Sequence, residues 1–423
     1  MEPTAAIATT SRAEQVTRED LILFLNACFA CTGQREFYSD ASAQRVSIQF
    51  LHAYILGNYR LLYARTLAVG INDFNRSEIV LNLLATGRET PPAHRAEENA
   101  LISATLRTLP AQRAWRLLEQ VRQRRINNRR TRALVRDFMA GRAEIAFDAV
   151  KYRSKVRAAA VHAHLPLRAG SADAELGRFL FEKGRHTGVF QTPLFEGFRQ
   201  AHFSAEALYT LPYTVAEGFA AKQGIARDVF LERISPQMTE GERLRGQNTA
   251  ERAKIESPEI APSRLSLTRL ALYALSLPLE KRAALGGALR QAAETTLRRT
   301  GGDAILGGLG RTAALLDSSY SSSGSSEKRR RPLGIALSVH LLLEAAAHRS
   351  GKPYRAFWTQ PPRDNDALTI TARGQTNLTV PLLDALDWGA DTILIVSDGF
   401  ENDPPDGAAE VLRVFRTRLD PKR

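Results

Sequence analysis

Thr312-Ala313-Ala314-Leu315-Leu316-Asp317-Ser318-Ser319-Tyr320-Ser321 is a short apolar run that breaks abruptly into an acid and a set of hydroxyls. The run has strand length, and a strand apolar on both faces belongs in a sheet that is covered on both sides. Thr392-Ile393-Leu394-Ile395-Val396 repeats that composition, and Tyr354-Arg355-Ala356-Phe357-Trp358 is strand-like. Helical patterns over 332–348 and 378–386 separate the three runs. Strands alternating with helices predict a parallel sheet, so residues from about 303 onward read as an α/β domain that begins after Gly301-Gly302.

In an open parallel sheet, ligands collect beyond the carboxyl ends of the strands. Three pieces of sequence fall there. Asp317, Ser319 and Ser321 put one carboxylate and two hydroxyls on the same side of a tight loop. Gly374-Gln375-Thr376-Asn377-Leu378 offers a threonine hydroxyl before a helix, and Ser397-Asp398-Gly399 adds a second carboxylate. All five are hard oxygen donors without His or Cys among them, a set suited to octahedral Mg2+ or Mn2+ that retains water. Taken singly, the pieces have plainer readings: a serine-rich linker over 318–326, and acids that cap a helix or a turn. Their order along the chain, each beside a strand or helix terminus, favours one shared site.

The set resembles the metal-ion-dependent adhesion site of von Willebrand A domains. The resemblance implies that Asp317 and Asp398 act through bound waters. It also implies that Ser319, Ser321 and Thr376 approach the metal directly or nearly so, and that a partner carboxylate completes the coordination. The last strand and helix of such a domain are short or absent, because the sequence stops at Arg423 after a helix-like stretch over 408–419. An insertion, Ser325-Ser326-Glu327-Lys328-Arg329-Arg330-Arg331, lengthens the loop beside the metal. It reads as a solvated basic loop, or more sharply as a contact for phosphate or an acidic partner.

Upstream, apolar residues three and four apart predict helices from Arg18 to about Leu297, broken at Gly, Pro, Asn or Asp clusters. Short helices in long succession suggest an all-α helical-repeat (HEAT-like) array, although no fixed period names a repeat class. A loop is expected over 255–263 and a further helix pair over 266–277 and 279–299, giving an array over 1–300 and an α/β domain over 303–423. With only Cys28 and Cys31, no signal peptide and no apolar run of about 18 residues, a soluble, reducing, cytoplasmic setting is expected. The Cys-x-x-Cys pair follows an apolar helical stretch and reads as buried thiols, with redox or metal work as the alternative.

The net charge of +13 is concentrated: twelve Lys and Arg against Asp137, Glu144 and Asp148 give +9 over 122–157. Such a surface is solubilising, meets an acidic protein, or neutralises the phosphates of RNA. For the last reading the candidates are Arg124, Arg125, Arg129, Arg130, Arg132, Lys151, Arg153, Lys155 and Arg157. Leu51-His52-Ala53-Tyr54-Ile55-Leu56-Gly57, Leu67-Ala68-Val69-Gly70-Ile71-Asn72, Ala149-Val150-Lys151-Tyr152-Arg153 and His164-Leu165-Pro166 resemble stretches of the Ro autoantigen family. In that family a helical-repeat TROVE domain precedes an adhesion-type domain and binds small noncoding RNA. The resemblance implies RNA contacts at Lys151, Arg153 and His164, the last otherwise a core or capping histidine.

His340, Glu344 and His348 share a helical face but read as its solvent edge. Gly307-Gly308-Leu309-Gly310 lacks the completion of a phosphate or dinucleotide loop and reads as a bend. No nucleophile elbow or His-Glu-x-x-His motif is present, so a binding protein is expected instead of an enzyme. Two functions remain. One is a Ro-like protein that binds small noncoding RNA on its basic helices and a carboxylate-bearing ligand on its metal. The other is an adaptor whose metal grips an acidic protein partner, such as a MoxR-type ATPase.

Overall fold

The computed structural model describes residues 11–32, 41–167, 173–182, 188–244, 261–302, 308–325, 329–398 and 401–420. Two compact units meet in sequence between Met238 and Thr239. No helix among the described residues is long and apolar enough to cross a membrane.

The first unit is helical throughout its described residues, from Arg12–Ala30 to Arg227–Ile234. The helix Ala111–Gln123 shows why: Ala114, Trp115, Leu117, Leu118 and Val121 recur at three- and four-residue spacing and are buried. Asn128 caps the next helix, Arg129–Ala140, by accepting a 2.9 Å bond from Thr131 N. Several helices pack on the next but one: Arg60–Arg65 on Arg95–Thr108, Asp73–Ala85 on Ala111–Gln123, and Arg95–Thr108 on Arg129–Ala140, while Ala111–Gln123 also packs on Arg153–His162. Cys28 and Cys31 are both buried here and neither is in a disulfide. Burial pushes the Cys28 thiol up to about 12, the opposite of what a reactive thiolate needs.

In the second unit, β1 (Thr312–Leu316), β2 (Tyr354–Trp358) and β3 (Thr392–Val396) form a parallel sheet in the order β2-β1-β3. The central strand is buried along its whole length. Its alternate side chains serve opposite faces. Ala313 and Leu315 pack against Leu382, Ala385 and Ala408 from the helices Thr379–Asp387 and Gly407–Val414. Ala314 and Leu316 pack against Ala336 and Leu343 of the helix Arg331–Ser350.

That last helix has a second apolar face, made by Leu333, Leu337 and Leu341, and it is covered by Leu270, Ala274, Leu289 and Ala293. The helices Leu267–Ser276 and Gly286–Thr300 that supply this cover therefore sit with the sheet, not with the array, and the boundary expected near 300 moves to Met238. The stripe of His340, Glu344 and His348 is also corrected in part. Glu344 and His348 are exposed, but His340 turns inward, with Nδ1 3.0 Å from the Tyr354 hydroxyl, and burial lowers its pKa.

Arg282 is buried and bonded only to carbonyls: Leu275 O at 3.1 Å, Leu277 O at 3.0 Å, Leu368 O at 3.2 Å and Ile370 O at 3.0 Å. It ties the end of the helix Leu267–Ser276 to the segment that leads into Thr376. Arg282→Ala should lower stability by on the order of 3 kcal/mol, because several charge-assisted bonds to buried carbonyls go unmade. Urea unfolding checks this, and a loss below about 0.5 kcal/mol, the size of an ordinary surface substitution, would show that the clamp is dispensable.

Candidate metal centre

The chain leaves β1 toward β2 and returns past it to β3, so the loops after β1 and β3 part to opposite faces and open a crevice at the strand ends. Asp317 N still donates to Val396 O at 2.9 Å, which fixes the acid at the crevice floor. The backbone then turns sharply. Ser319 N donates to Asp317 Oδ1 at 2.8 Å, and Ser322 Oγ donates to Ser319 O at 2.7 Å. Ser319 Oγ and Ser321 Oγ end 3.0 Å apart.

The second loop is stitched to the first by Tyr320 N to Gly374 O at 2.8 Å and Arg373 N to Ser318 O at 2.9 Å. Gly374 has φ +68°, and a Cβ there would come within 2.6 Å of Gln360 Nε2, so both conformation and space require glycine. Thr376 then donates from Oγ1 to Ser319 Oγ at 2.9 Å, while its own N–H donates to Asn402 Oδ1 at 2.9 Å. From the third loop, Ser397 Oγ donates to Asp317 Oδ2 at 3.2 Å. Asp398 follows it and is exposed.

The structure thus brings Asp317, Ser319, Ser321 and Thr376 into one hydrogen-bonded cluster, each no more than 4% exposed, and puts Asp398 one residue from it. Several supporting residues went unread in the sequence. Thr359 Oγ1 lies 3.4 Å from Asp317 Oδ1 and accepts from Ser318 N at 2.9 Å; its place directly after β2 was the available signal. Glu401 joins two loops by accepting from Leu378 N at 2.9 Å and Ala408 N at 2.8 Å.

The donor set fits a small hard cation. Octahedral Mg2+ with oxygens at about 2.1 Å sets neighbouring donors about 3.0 Å apart. Ser319 Oγ has Ser321 Oγ at 3.0 Å and Thr376 Oγ1 at 2.9 Å. The electrostatics agree. The buried Asp317 carboxylate receives bonds from Ser319 N, Thr359 Oγ1 and Ser397 Oγ, all neutral donors, and no cationic side chain among the described residues pairs with it. Burying a carboxylate without a cation is costly. Among the described residues no cluster of three or more His, Cys, Asp or Glu is placed to hold a metal.

The basic segment behaves differently from the expectation. Glu98, fully buried, is held by Arg60 through Nη2 at 2.9 Å and Nε at 3.0 Å, and by Arg130 Nη1 at 2.8 Å. Arg130 is therefore spent inside the array as a counter-ion. Arg153 lies half-buried over the rings of Phe179 and Phe198, at 4.8 and 5.6 Å. Lys155 pairs with Glu119 at 2.7 Å and Arg124 with Glu78 at 3.0 Å. Lys151 lies 5.3 Å from the centre of the Phe147 ring and Arg157 lies 5.5 Å from that of Phe181. Arg125, Arg129 and His164 are exposed, and Arg132 is half-buried. His164 has φ +52° just beyond the helix Arg153–His162, a chain-reversal position and not a core one. Arg129 and Arg130 also line a cleft of about 560 Å³ with Asn99, Ser103 and Asp137.

No protein-family model, curated protein or solved structure matches this chain.

The division of the arginines is testable by paired substitutions. Arg130→Ala should destabilise by roughly 2–4 kcal/mol, since it strips a partner from a buried acid. Arg129→Ala should stay within about 0.5 kcal/mol of the parent. Equal midpoints in chemical denaturation would show that Arg130 is not a structural cation.

Proposed function

We propose that the second unit is a von Willebrand A-type domain that binds Mg2+ or Mn2+ through Asp317, Ser319, Ser321 and Thr376, with Asp398 acting from the mouth through water. The bound ion presents an open coordination position to a carboxylate of a protein partner. The protein is then a metal-dependent adaptor, with the helical unit as its second binding element, and its partner is a protein that offers such a carboxylate, as an ATPase of the MoxR type would. The observation that carries this reading is the uncompensated buried Asp317 carboxylate, set among hydroxyls at cation-ligand spacing. When bound, a divalent ion held by Asp317, Ser319, Ser321 and Thr376 would supply the missing positive charge and a position for the partner's carboxylate. The side chains bonded to Asp317 are neutral hydroxyls and amides, which suits holding a ligand better than activating water.

A second reading, RNA binding on the array in the manner of the Ro family, draws support from the exposed Arg125 and Arg129 with Arg132 beside them. It is weakened by the internal use of Arg124, Arg130, Arg153 and Lys155.

Thermal unfolding with and without Mg2+ tests the metal. A ligand at one hundred times its Kd should raise stability by about 2.7 kcal/mol. Asp317→Asn keeps the shape and removes the charge, so its stability in EDTA should match or exceed the parent's while its response to Mg2+ disappears. A parent protein whose unfolding is the same in Mg2+, Mn2+ and EDTA would defeat the proposal. For RNA, affinity should fall steeply with salt, and the slope should shrink when Arg125, Arg129 and Arg132 are neutralised together. An unchanged slope would remove that surface from consideration.

A further inference from the structure

The rim of the crevice is electrically divided. On the side of β1 and β2, Arg330 N donates to Ser323 O at 2.6 Å, which sets Arg330 and Arg331 against the turn that carries Ser319 and Ser321. Arg373 is fixed on the same side by its N–H to Ser318 O, and its guanidinium donates to Pro361 O at 2.9 Å. All three arginines are exposed, and none forms an ion pair with a described residue. On the side of β3 stand two exposed carboxylates. Asp398 follows Ser397, and Asp403 is held there by its N–H to Thr376 O at 3.2 Å.

Tyr320 lies between the two metal-binding serines and is 64% exposed, although its backbone is pinned to Gly374 at 2.8 Å. A large aromatic on a rigid backbone loses little entropy when a partner covers it, and Tyr and Arg are the residue types on which interface energy concentrates. The basic stretch at Arg329-Arg330-Arg331 reads in sequence as a solvated loop or as a contact for phosphate or an acidic partner, and its position beside the crevice favours the acidic partner.

We infer that Tyr320, Arg330, Arg331 and Arg373 form a specificity rim that selects an acidic peptide segment. In this arrangement one carboxylate of the segment meets the metal and further carboxylates on one flank lie along the arginines. The opposite flank, facing Asp398 and Asp403, is neutral or basic. The inference rests on the metal-dependent carboxylate binding proposed above and adds the sequence context of the ligand. Charges within a Debye length of about 8–10 Å interact at physiological salt, so flanking residues a few positions away are read and distant ones are not. Opposed like charges on the β3 side supply the discrimination, since a wrong partner is refused as well as a right one attracted.

Fluorescein-labelled peptides of equal length test it in Mg2+ with the full chain. One carries a single Glu among neutral residues, one has Asp or Glu on the N-terminal flank only, one on the C-terminal flank only, and one on both flanks. One of the single-flank peptides should bind at least tenfold tighter than the neutral peptide and tighter than the doubly acidic one, with the advantage fading as salt rises. The variant Arg330→Asn with Arg373→Gln should bind the single-flank and neutral peptides alike; Asn tolerates the left-handed backbone found at Arg330, φ +56°. Arg373→Lys, which keeps the charge, should retain the preference and guards against misreading a folding defect. Equal affinity for all four peptides, or a preference that survives loss of both arginines, overturns the rim while leaving the metal site standing. If no peptide binds in Mg2+ more tightly than in EDTA, the underlying metal reading fails instead, and the rim with it.

Discussion

A carboxylate at the end of a strand hydrogen-bonded on both edges has nowhere to go. Asp317 continues β1, which is flanked by β2 and β3 and covered on both faces, and its own N–H remains in the ladder to Val396. The acid is thus held in a poorly hydrated place by the cooperative stability of the whole sheet. Its neighbours offer hydrogen bonds but no positive charge. Everything else about the site follows from that constraint. The serine turn wraps the acid, the glycine at 374 lets a distant threonine approach, and Glu401 knits the outer loops together.

β1 was legible residue by residue because five consecutive buried positions leave a continuous apolar run, which solvent-facing structure does not; β2 and β3, only partly buried, were legible from their apolar and aromatic composition. The Asp-x-Ser-x-Ser piece was equally plain, being local. Thr376 could be joined to it only by assuming a parallel sheet, since 57 residues separate it from Ser319. The residues that were missed, Thr359 and Asn402 among them, touch the site through single bonds that no spacing rule announces.

The unit boundary moved, and several cations of the basic stretch proved to be partnered, for related reasons. The helix Arg331–Ser350 reads as apolar in sequence, but sequence does not say that it is apolar twice over, against the sheet on one side and a helix pair on the other. Without that, the pair appeared to belong with the preceding helices. Likewise, the arginines between 122 and 157 look like a free cationic face until their partners are located. Glu98 lies 32 residues from Arg130, and Phe179 lies 26 from Arg153, so the pairing is invisible to any local reading. Charge density in a sequence counts cations before the fold has assigned some of them to its own interior.

The Arg282 clamp couples the helix pair to the region of the metal loop. Its guanidinium holds carbonyls from both sides at once, so the end of one helix and the segment that leads to Thr376 behave as a single stiff lever. Tension applied to the Thr376 loop would pass through that lever into the helices instead of peeling the loop from the sheet. The grip and its backing would then resist force together, as a hook does when it is forged in one piece with its plate.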